Sequence, residues 1–181
     1  SDGPFLVVDI GGGSTEFVFG TTSVESAKSV NIGCVRMTER HFAHDPATTV
    51  QVAAASADIK EAIATAASIV PITQAKTLIA VAGTATTVAA AALNLSEYDR
   101  YAIHLSRISA AQVHDASHMF LTKSREERLT LGYMHPGRVD VIPAGALVLS
   151  HIMSTTGASE FVASESDILD GIARSLAGKS A

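Results

Sequence analysis

The sequence predicts an α/β domain, a mixed sheet of five strands with helices packed on it. Three observations support this prediction. Strand-like patterns crowd the first 32 residues, helical and strand-like patterns alternate from residue 48 onward, and 47% of the 181 residues are apolar. The apolar fraction is sufficient for a sizeable core in a chain of this length. A run of strands followed by such alternation is typical of a mixed sheet covered by helices.

The first third of the chain is predicted to form an antiparallel meander. Residues 5–10 are an apolar run typical of a buried strand, and residues 15–20 alternate as a half-buried strand does. Residues 24–32 form a weaker third strand. The first two strands are separated by only four residues, so a hairpin with three glycines at its tip should join them.

The rest of the chain alternates between helical and strand periodicity. Ser-x-x-Gln at residue 109 and Ser-x-x-Glu at residue 124 are capping boxes that mark helix starts. The predicted helical segments are 33–42, 48–70, 84–93, 109–121, 124–131, 140–154 and 167–176, the first of them short enough to be a turn. The predicted strands are 77–82 and 160–163.

Composition limits the function classes. A net charge of −5 argues against a broad basic surface for nucleic acid, and no apolar run approaches the length of a membrane span. The single cysteine permits no disulfide within the chain, and the first ten residues lack the basic start of a signal peptide. We therefore expect a cytoplasmic protein that binds neither nucleic acid nor membrane.

The hairpin tip is the first candidate site, for a phosphate group. Glycines allow a ligand to approach the backbone closely, and successive N–H groups in such a turn can cradle an anion. A dinucleotide fingerprint would require a helix directly after the glycines, and a Walker A loop would require Gly-Lys-Ser/Thr, so neither fits. The candidate phosphate-binding residues here are Gly11, Gly12, Gly13, Ser14 and Thr15. The alternative is a plain glycine-rich turn with no ligand.

Two carboxylates flank this loop. Asp9 stands near the end of a buried strand, where a carboxylate without a partner is costly, and Mg²⁺ is a natural partner. Glu16, on the other arm of the hairpin, is a candidate general base and a second metal ligand. The alternative for Glu16 is a solvent-facing strand residue.

A second loop with the same character follows the strand at residues 77–82. Gly83, Thr84 and Thr86 open a predicted helix, and a helix N-terminus with hydroxyls beside it can bind an anion. Ordinary capping by Thr84 is the alternative. Arg36 and Arg138 are candidate phosphate contacts. For Arg36, an ion pair with a nearby glutamate is equally compatible with the sequence.

Four ordered motifs make the chain resemble a known family. They are Asp-Ile-Gly-Gly-Gly-Ser-Thr-Glu at 9–16, Gly-Cys-Val-Arg-Met-Thr-Glu at 33–39, Gly-Thr-Ala-Thr-Thr at 83–87 and Gly-Arg-Val-Asp-Val-Ile-Pro-Ala-Gly at 137–145. The chain is similar, over essentially its whole length, to the exopolyphosphatase/guanosine pentaphosphate phosphohydrolase (Ppx/GppA) family. That family belongs to the actin-like ATPase superfamily, with two ribonuclease-H-like lobes around a cleft.

The resemblance implies a fold and an activity. Residues 1–181 would be a single second lobe, which supplies half of a cleft where Mg²⁺ supports removal of terminal phosphates from polyphosphate or from pppGpp. A first lobe with its own phosphate loop and a glutamate-rich motif would be the partner, and the exposed inter-lobe face would favour a homodimer. Two alternatives stay open: a non-catalytic module that senses ppGpp or polyphosphate, and an ATP-using kinase lobe. The last motif departs from the family pattern, with Leu169 where arginine is common.

Overall fold

The computed structural model describes residues 3–166, and their centre is a sheet of six strands. The order across the sheet is β3-β2-β1-β4-β6-β5. The strands are β1 (Phe5–Ile10), β2 (Thr15–Gly20), β3 (Val24–Val30), β4 (Thr77–Val81), β5 (Arg107–Ser109) and β6 (Glu160–Ala163). The first three form the predicted antiparallel meander, β4 lies parallel to β1, and β6 lies parallel to β4.

The prediction of five strands is wrong by one. The additional strand, β5, pairs antiparallel with β6 at the sheet edge. It has only three residues, too few for an alternating pattern to be detected, and its first residue, Arg107, is exposed. The mixed α/β architecture itself is confirmed.

Seven α-helices and two 3-10 helices, Ile72–Gln74 and Pro136–Arg138, lie in the described part of the chain. The α-helices are α1 (Cys34–His41), α2 (Thr49–Ala67), α3 (Ala82–Ala92), α4 (Arg100–Ile103), α5 (Ala110–Thr122), α6 (Arg125–Leu129) and α7 (Ile142–Thr156). Complete capping boxes precede α2, α5 and α6, and the two boxes identified in the sequence are confirmed. The sequence did not predict α4, which has a single turn. The predicted helix at 167–176 lies outside the described residues.

The core lies on one face of the sheet. In β1 the buried residues are Leu6, Val8 and Ile10, and helices α2, α3 and α7 pack over that face. Because side chains alternate along a strand, the residues between them belong to the opposite face, which includes Asp9. The strand pattern therefore places the carboxylate outside the core, at the end of β1 where the glycine loop begins.

Helix α3 begins two residues earlier than predicted. Ala82 follows β4 directly and has a φ of 65°, a left-handed conformation that is unusual for alanine. This sharp turn puts Gly83 and Thr84 inside the first turn of the helix, so the alternative in which Thr84 caps the helix is wrong. None of the helices in the described segment is both long enough and apolar enough to span a bilayer.

Candidate active site

The glycine loop is held from one side by helix α1. The N–H group of Gly11 closes the turn onto the carbonyl of Ser14, at 3.0 Å. The carbonyls of the three glycines accept bonds from α1: Cys34 N to Gly11 O, Val35 N and Arg36 N to Gly12 O, and Arg36 Nε to Gly13 O. In a trans peptide the carbonyl and the following N–H point in opposite directions. The N–H groups of Gly12, Gly13 and Ser14 therefore point away from α1.

The fold does not itself require glycine at the tip of this loop. Gly12 and Gly13 are exposed, and among the described glycines only Gly157 has a positive φ. A Cβ on Gly12 would meet Val35 at an ordinary 3.4 Å, and one on Gly13 would meet Arg36 at 3.5 Å. The exposed backbone of these two residues is therefore open to close approach by a ligand.

Asp9 and Glu16 are directly opposite each other in the β1–β2 pairing. Both are half-buried. The Glu16 carboxylate is oriented by hydroxyls from Ser14, at 2.7 Å, and Ser29, at 2.5 Å, which both donate to its Oε1 atom. Like charges directly opposite each other on paired strands are destabilising by themselves.

Arg138 covers the N-terminus of α3. A Cβ built on Gly83 would lie 1.2 Å from Nη1 of Arg138, so the guanidinium rests directly on the glycine backbone. Gly83 and Thr84 belong to the first turn of the helix, where N–H groups have no partner within the helix. Two candidates that the sequence offered separately, the start of α3 and Arg138, therefore lie together.

A single cavity joins the two loops. Its volume is about 250 Å³, and it lies at the edge of the sheet where β1 and β4 end. The residues that line it are Ile10, Gly11, Gly12, Cys34, Val35, Ala82, Gly83, Thr84, Gly137, Arg138, Val141 and Ile142. Backbone from the first loop thus faces the helix start and the guanidinium across one space.

Several predicted residues lie outside this cavity. The Thr15 side chain is fully buried and its hydroxyl donates to the carbonyl of Ile32, so a phosphate contact by this hydroxyl is ruled out in this structure. Thr86 is also buried, and its hydroxyl lies 3.5 Å from the Gly83 carbonyl. Arg36 is exposed beside Gly13 rather than paired with a glutamate. Asp9, Gly13, Ser14 and Glu16 lie along the hairpin next to the cavity.

Cys34 is one of the residues that line the cavity. Burial raises the pKa of Cys34, and a hydrogen bond with Thr84 opposes that rise only in part. A thiol is a poor nucleophile until it ionises.

A larger cavity of about 580 Å³ adjoins the first and shares Gly137 and Arg138 with it. Its other lining residues are Thr87, Tyr98, Gly132, Tyr133, Met134, His135 and Pro136. The Tyr98 hydroxyl donates to Glu165 at 2.6 Å, and burial together with this carboxylate raises the pKa of Tyr98. Sequence reasoning missed Tyr98 and Glu165, because neither belongs to a motif with a recognisable spacing.

The donor set fits Mg²⁺ better than a soft metal. Within residues 3–166, no group of three or more histidine, cysteine, aspartate or glutamate side chains could hold an ion. Mg²⁺ needs only one or two carboxylates, because water and phosphate oxygens complete its shell. The Asp9–Glu16 pair meets that requirement.

Comparison with known proteins assigns the family. The family model described as the Ppx/GppA phosphatase family matches residues 1–179. The chain belongs to the Ppx/GppA phosphatase family. It is 44% identical over 179 residues to exopolyphosphatase 2 of Mycobacterium tuberculosis, an alignment that covers 97% of this chain and 56% of the relative. It is 32% identical over 170 residues to the bifunctional 3-dehydroquinate synthase/phosphatase of Fusobacterium nucleatum, covering 92% and 25% respectively.

Solved structures of the Ppx/GppA family share the fold. An exopolyphosphatase-like protein superposes with a TM-score of 0.94 at 40% identity, covering 99% of this chain and 61% of that one. The Aquifex aeolicus Ppx/GppA protein superposes with a TM-score of 0.86 at 27% identity, covering 97% and 56%. The chain therefore spans little more than half the length of these relatives, and the expected actin-like fold is confirmed for the part that it spans.

Proposed function

We propose that this chain forms one wall of a Mg²⁺-dependent active site that hydrolyses terminal phosphoanhydride bonds of inorganic polyphosphate or pppGpp. The observation that carries the proposal is the shared cavity. It places the glycine loop, the start of α3 and the Arg138 guanidinium around one space at the carboxyl edge of the sheet. Membership of a phosphatase family supports the same chemistry.

The protein groups would act mainly by binding and positioning. Phosphoryl transfer requires in-line geometry and neutralised charge rather than a covalent intermediate. The N–H groups of Gly12, Gly13 and Ser14 would hold equatorial phosphate oxygens, and Arg138 would offset charge from the other side. Glu16, with its Oε1 fixed by two hydroxyls, is suited to orient a water molecule and accept its proton.

Asp9 and Glu16 would hold Mg²⁺. When bound, the ion neutralises charge on the phosphate oxygens. The two carboxylates keep their opposed positions through the β1–β2 pairing, so the binding groups are fixed by the sheet rather than by a mobile loop.

The larger cavity favours a substrate that carries a base. It contains two tyrosines, opens beside Arg138, and has enough room for a nucleoside. Tyrosine faces can stack on a base. We expect pppGpp to use both cavities and a polyphosphate chain to use mainly the smaller one.

The two alternatives predict different measurements. A sensor would bind the same ligands without turnover, and a kinase lobe would transfer phosphate from ATP. Family membership favours hydrolysis over both. We further propose a preceding lobe as the opposite wall of the cleft and a cytoplasmic location. For the isolated chain, whose inter-lobe face would be exposed, we propose a homodimer formed through that face.

The test compares the complete two-lobe protein with this 181-residue chain. Phosphate release is measured from polyphosphate and from pppGpp, with Mg²⁺ and with excess chelator. The complete protein should hydrolyse at least one substrate only with Mg²⁺, and the isolated chain should be nearly inactive because half of the cleft is missing. Binding without hydrolysis in the complete protein would support a sensor, and robust turnover by the isolated chain would place the chemistry elsewhere. Tyr98→Leu should impair pppGpp hydrolysis and spare polyphosphate.

A further inference from the structure

Arg128 is the largest fully buried side chain in the described part of the protein. It is 2% exposed. Its guanidinium makes four hydrogen bonds: Nε to Val139 O at 2.9 Å, Nη1 to Phe120 O at 3.2 Å and to Lys123 O, and Nη2 to Asp45 Oδ1 at 2.6 Å. A buried arginine with this many partners ties together every segment that it contacts.

One of those segments contains Val139, next to a residue that lines the smaller cavity. Val139 is fully buried and directly follows Arg138, whose guanidinium rests on Gly83. Asp45 supplies the only carboxylate among the four acceptors, and its second oxygen accepts a bond from the N–H of Arg125. The loop at 43–47, the end of α5 and the turn between the 3-10 helix Pro136–Arg138 and α7 are thereby linked through one side chain.

A second, weaker link reaches the same turn. The Arg125 Nε donates to Asp140 Oδ1 at 2.7 Å, but both side chains are about half exposed. Exposed ion pairs of this kind contribute little to stability. The buried Arg128–Val139 bond therefore adds a long-range anchor to the local bonds of this backbone, Arg138 N to His135 O and Val141 N to Arg138 O.

We propose that Arg128 is a positioning residue for Arg138. Its guanidinium holds the Val139 carbonyl, and through it the backbone that directs the Arg138 side chain across Gly83 and into the anion cavity. Lysine cannot replace it, because one ammonium group cannot reach four acceptors that are spread around a planar fork. The effect on phosphate affinity, but not the placement of Arg138 itself, rests on the proposed function.

The placement is tested by NMR on the labelled chain without ligand. The Nε–Hε signal of Arg138 is assigned by its loss in Arg138→Gln and compared in Arg128→Lys. We expect that signal to shift and to exchange faster with water in Arg128→Lys. Asp45→Asn, which changes the same network from its exposed end, should give a smaller shift in the same direction, and it serves as the test if Arg128→Lys does not fold. An unchanged signal in the folded variants overturns the proposal.

The control is Arg107→Lys, the same chemical change at an exposed ion pair with Glu160 on the far edge of the sheet. It should leave the Arg138 signal in place. A matching shift in Arg107→Lys would mean that the reporter responds to general loosening, and the proposal would fail.

Affinity for inorganic tripolyphosphate, measured by calorimetry, links the placement to binding. Arg128→Lys should weaken binding by about 10- to 150-fold, the effect of losing one charge-assisted hydrogen bond. The double variant with Arg138→Gln should be no weaker than Arg138→Gln alone, whereas a purely structural role would give additive losses. If Arg138→Gln itself leaves the affinity unchanged, the phosphate role of Arg138 fails, and the NMR result still decides whether Arg128 positions it.

Discussion

Substitution of Gly12 by alanine should separate folding from ligand binding. Gly12 is exposed, has no positive φ, and a Cβ there would have its closest contact with Val35 at 3.4 Å. The folded chain therefore has room for the methyl group. The same methyl group would project toward Val35 and narrow the cavity that Gly12 and Val35 both line, where the phosphate is proposed to bind.

The expected changes in stability and in ligand affinity can both be given a magnitude. Alanine at a compatible glycine position stabilises by about 0.4–1 kcal/mol, because it restricts the unfolded chain. For a chain of this length that corresponds to a rise in Tm of roughly 1–4 °C. Each charge-assisted hydrogen bond that is lost weakens binding by about 1.5–3 kcal/mol, or roughly 10- to 150-fold in Kd.

The assay pairs thermal melting with tripolyphosphate calorimetry, and Gly33→Ala is the control. A Cβ on Gly33 would lie 2.4 Å from backbone atoms of Gly12, so this variant should lose stability because a backbone, not a flexible side chain, must move. Gly12→Ala should melt at or above the parent temperature and bind weakly. A Gly12→Ala protein that binds tripolyphosphate as tightly as the parent would refute the assignment of the loop to phosphate.

Three further predictions follow from the site and the core. Gly83→Ala should displace the Arg138 guanidinium and weaken tripolyphosphate binding without lowering Tm, since only a side-chain end must move. A variant with the Tm of the parent that still binds tripolyphosphate tightly would contradict this prediction. In the complete protein, Asp9→Asn should raise the Mg²⁺ concentration needed for half-maximal rate, and Glu16→Gln should lower kcat by about 10²- to 10⁴-fold with little change in KM; an unchanged kcat would leave Glu16 as a strand residue. Burial lowers the pKa of His151, so the free energy of unfolding should be highest above about pH 6.5 and fall as the pH drops below it, because the unfolded chain takes up the proton first. Melting curves of the parent and His151→Leu at pH 7.5 and 5.5 should show a smaller pH effect in the variant.

The part of the fold that follows local rules could be predicted from the sequence. The meander was visible because strand periodicity is short, and the capping boxes at Ser109 and Ser124 fix helix starts by side-chain chemistry. Strand β5 was not visible, since three residues at an edge are held by pairing with β6 rather than by their own pattern. The start of α3 was misplaced because Ala82 adopts a conformation that its residue type does not predict.

The candidate site could be predicted where residues in one loop act together. The loop from Gly11 to Ser14 and the turn at Gly83 were each predicted as an anion site, and one cavity contains residues from both. The Thr15 hydroxyl is not available to a ligand in this structure, because alternation along β2 puts it in the core. Tyr98 lines the larger cavity, and Arg128 binds the backbone next to Arg138. Both roles depend on residues far apart in sequence, so no local sequence pattern indicates them.

The glycine loop, the start of α3 and Arg138 all face the cavity, and other residues of this chain hold each of them in place. Gly33 packs against Gly12 with no space for a side chain, and a Cβ on Gly145 of α7 would lie 2.6 Å from the Thr84 hydroxyl. Arg128 holds the backbone beside Arg138. None of these supports requires an opposite wall, whereas positioning of an attacking water requires groups on both sides of a phosphate. The isolated chain should therefore keep a measurable affinity for tripolyphosphate and lose turnover, which is the combination that distinguishes half of an active site from a misfolded fragment.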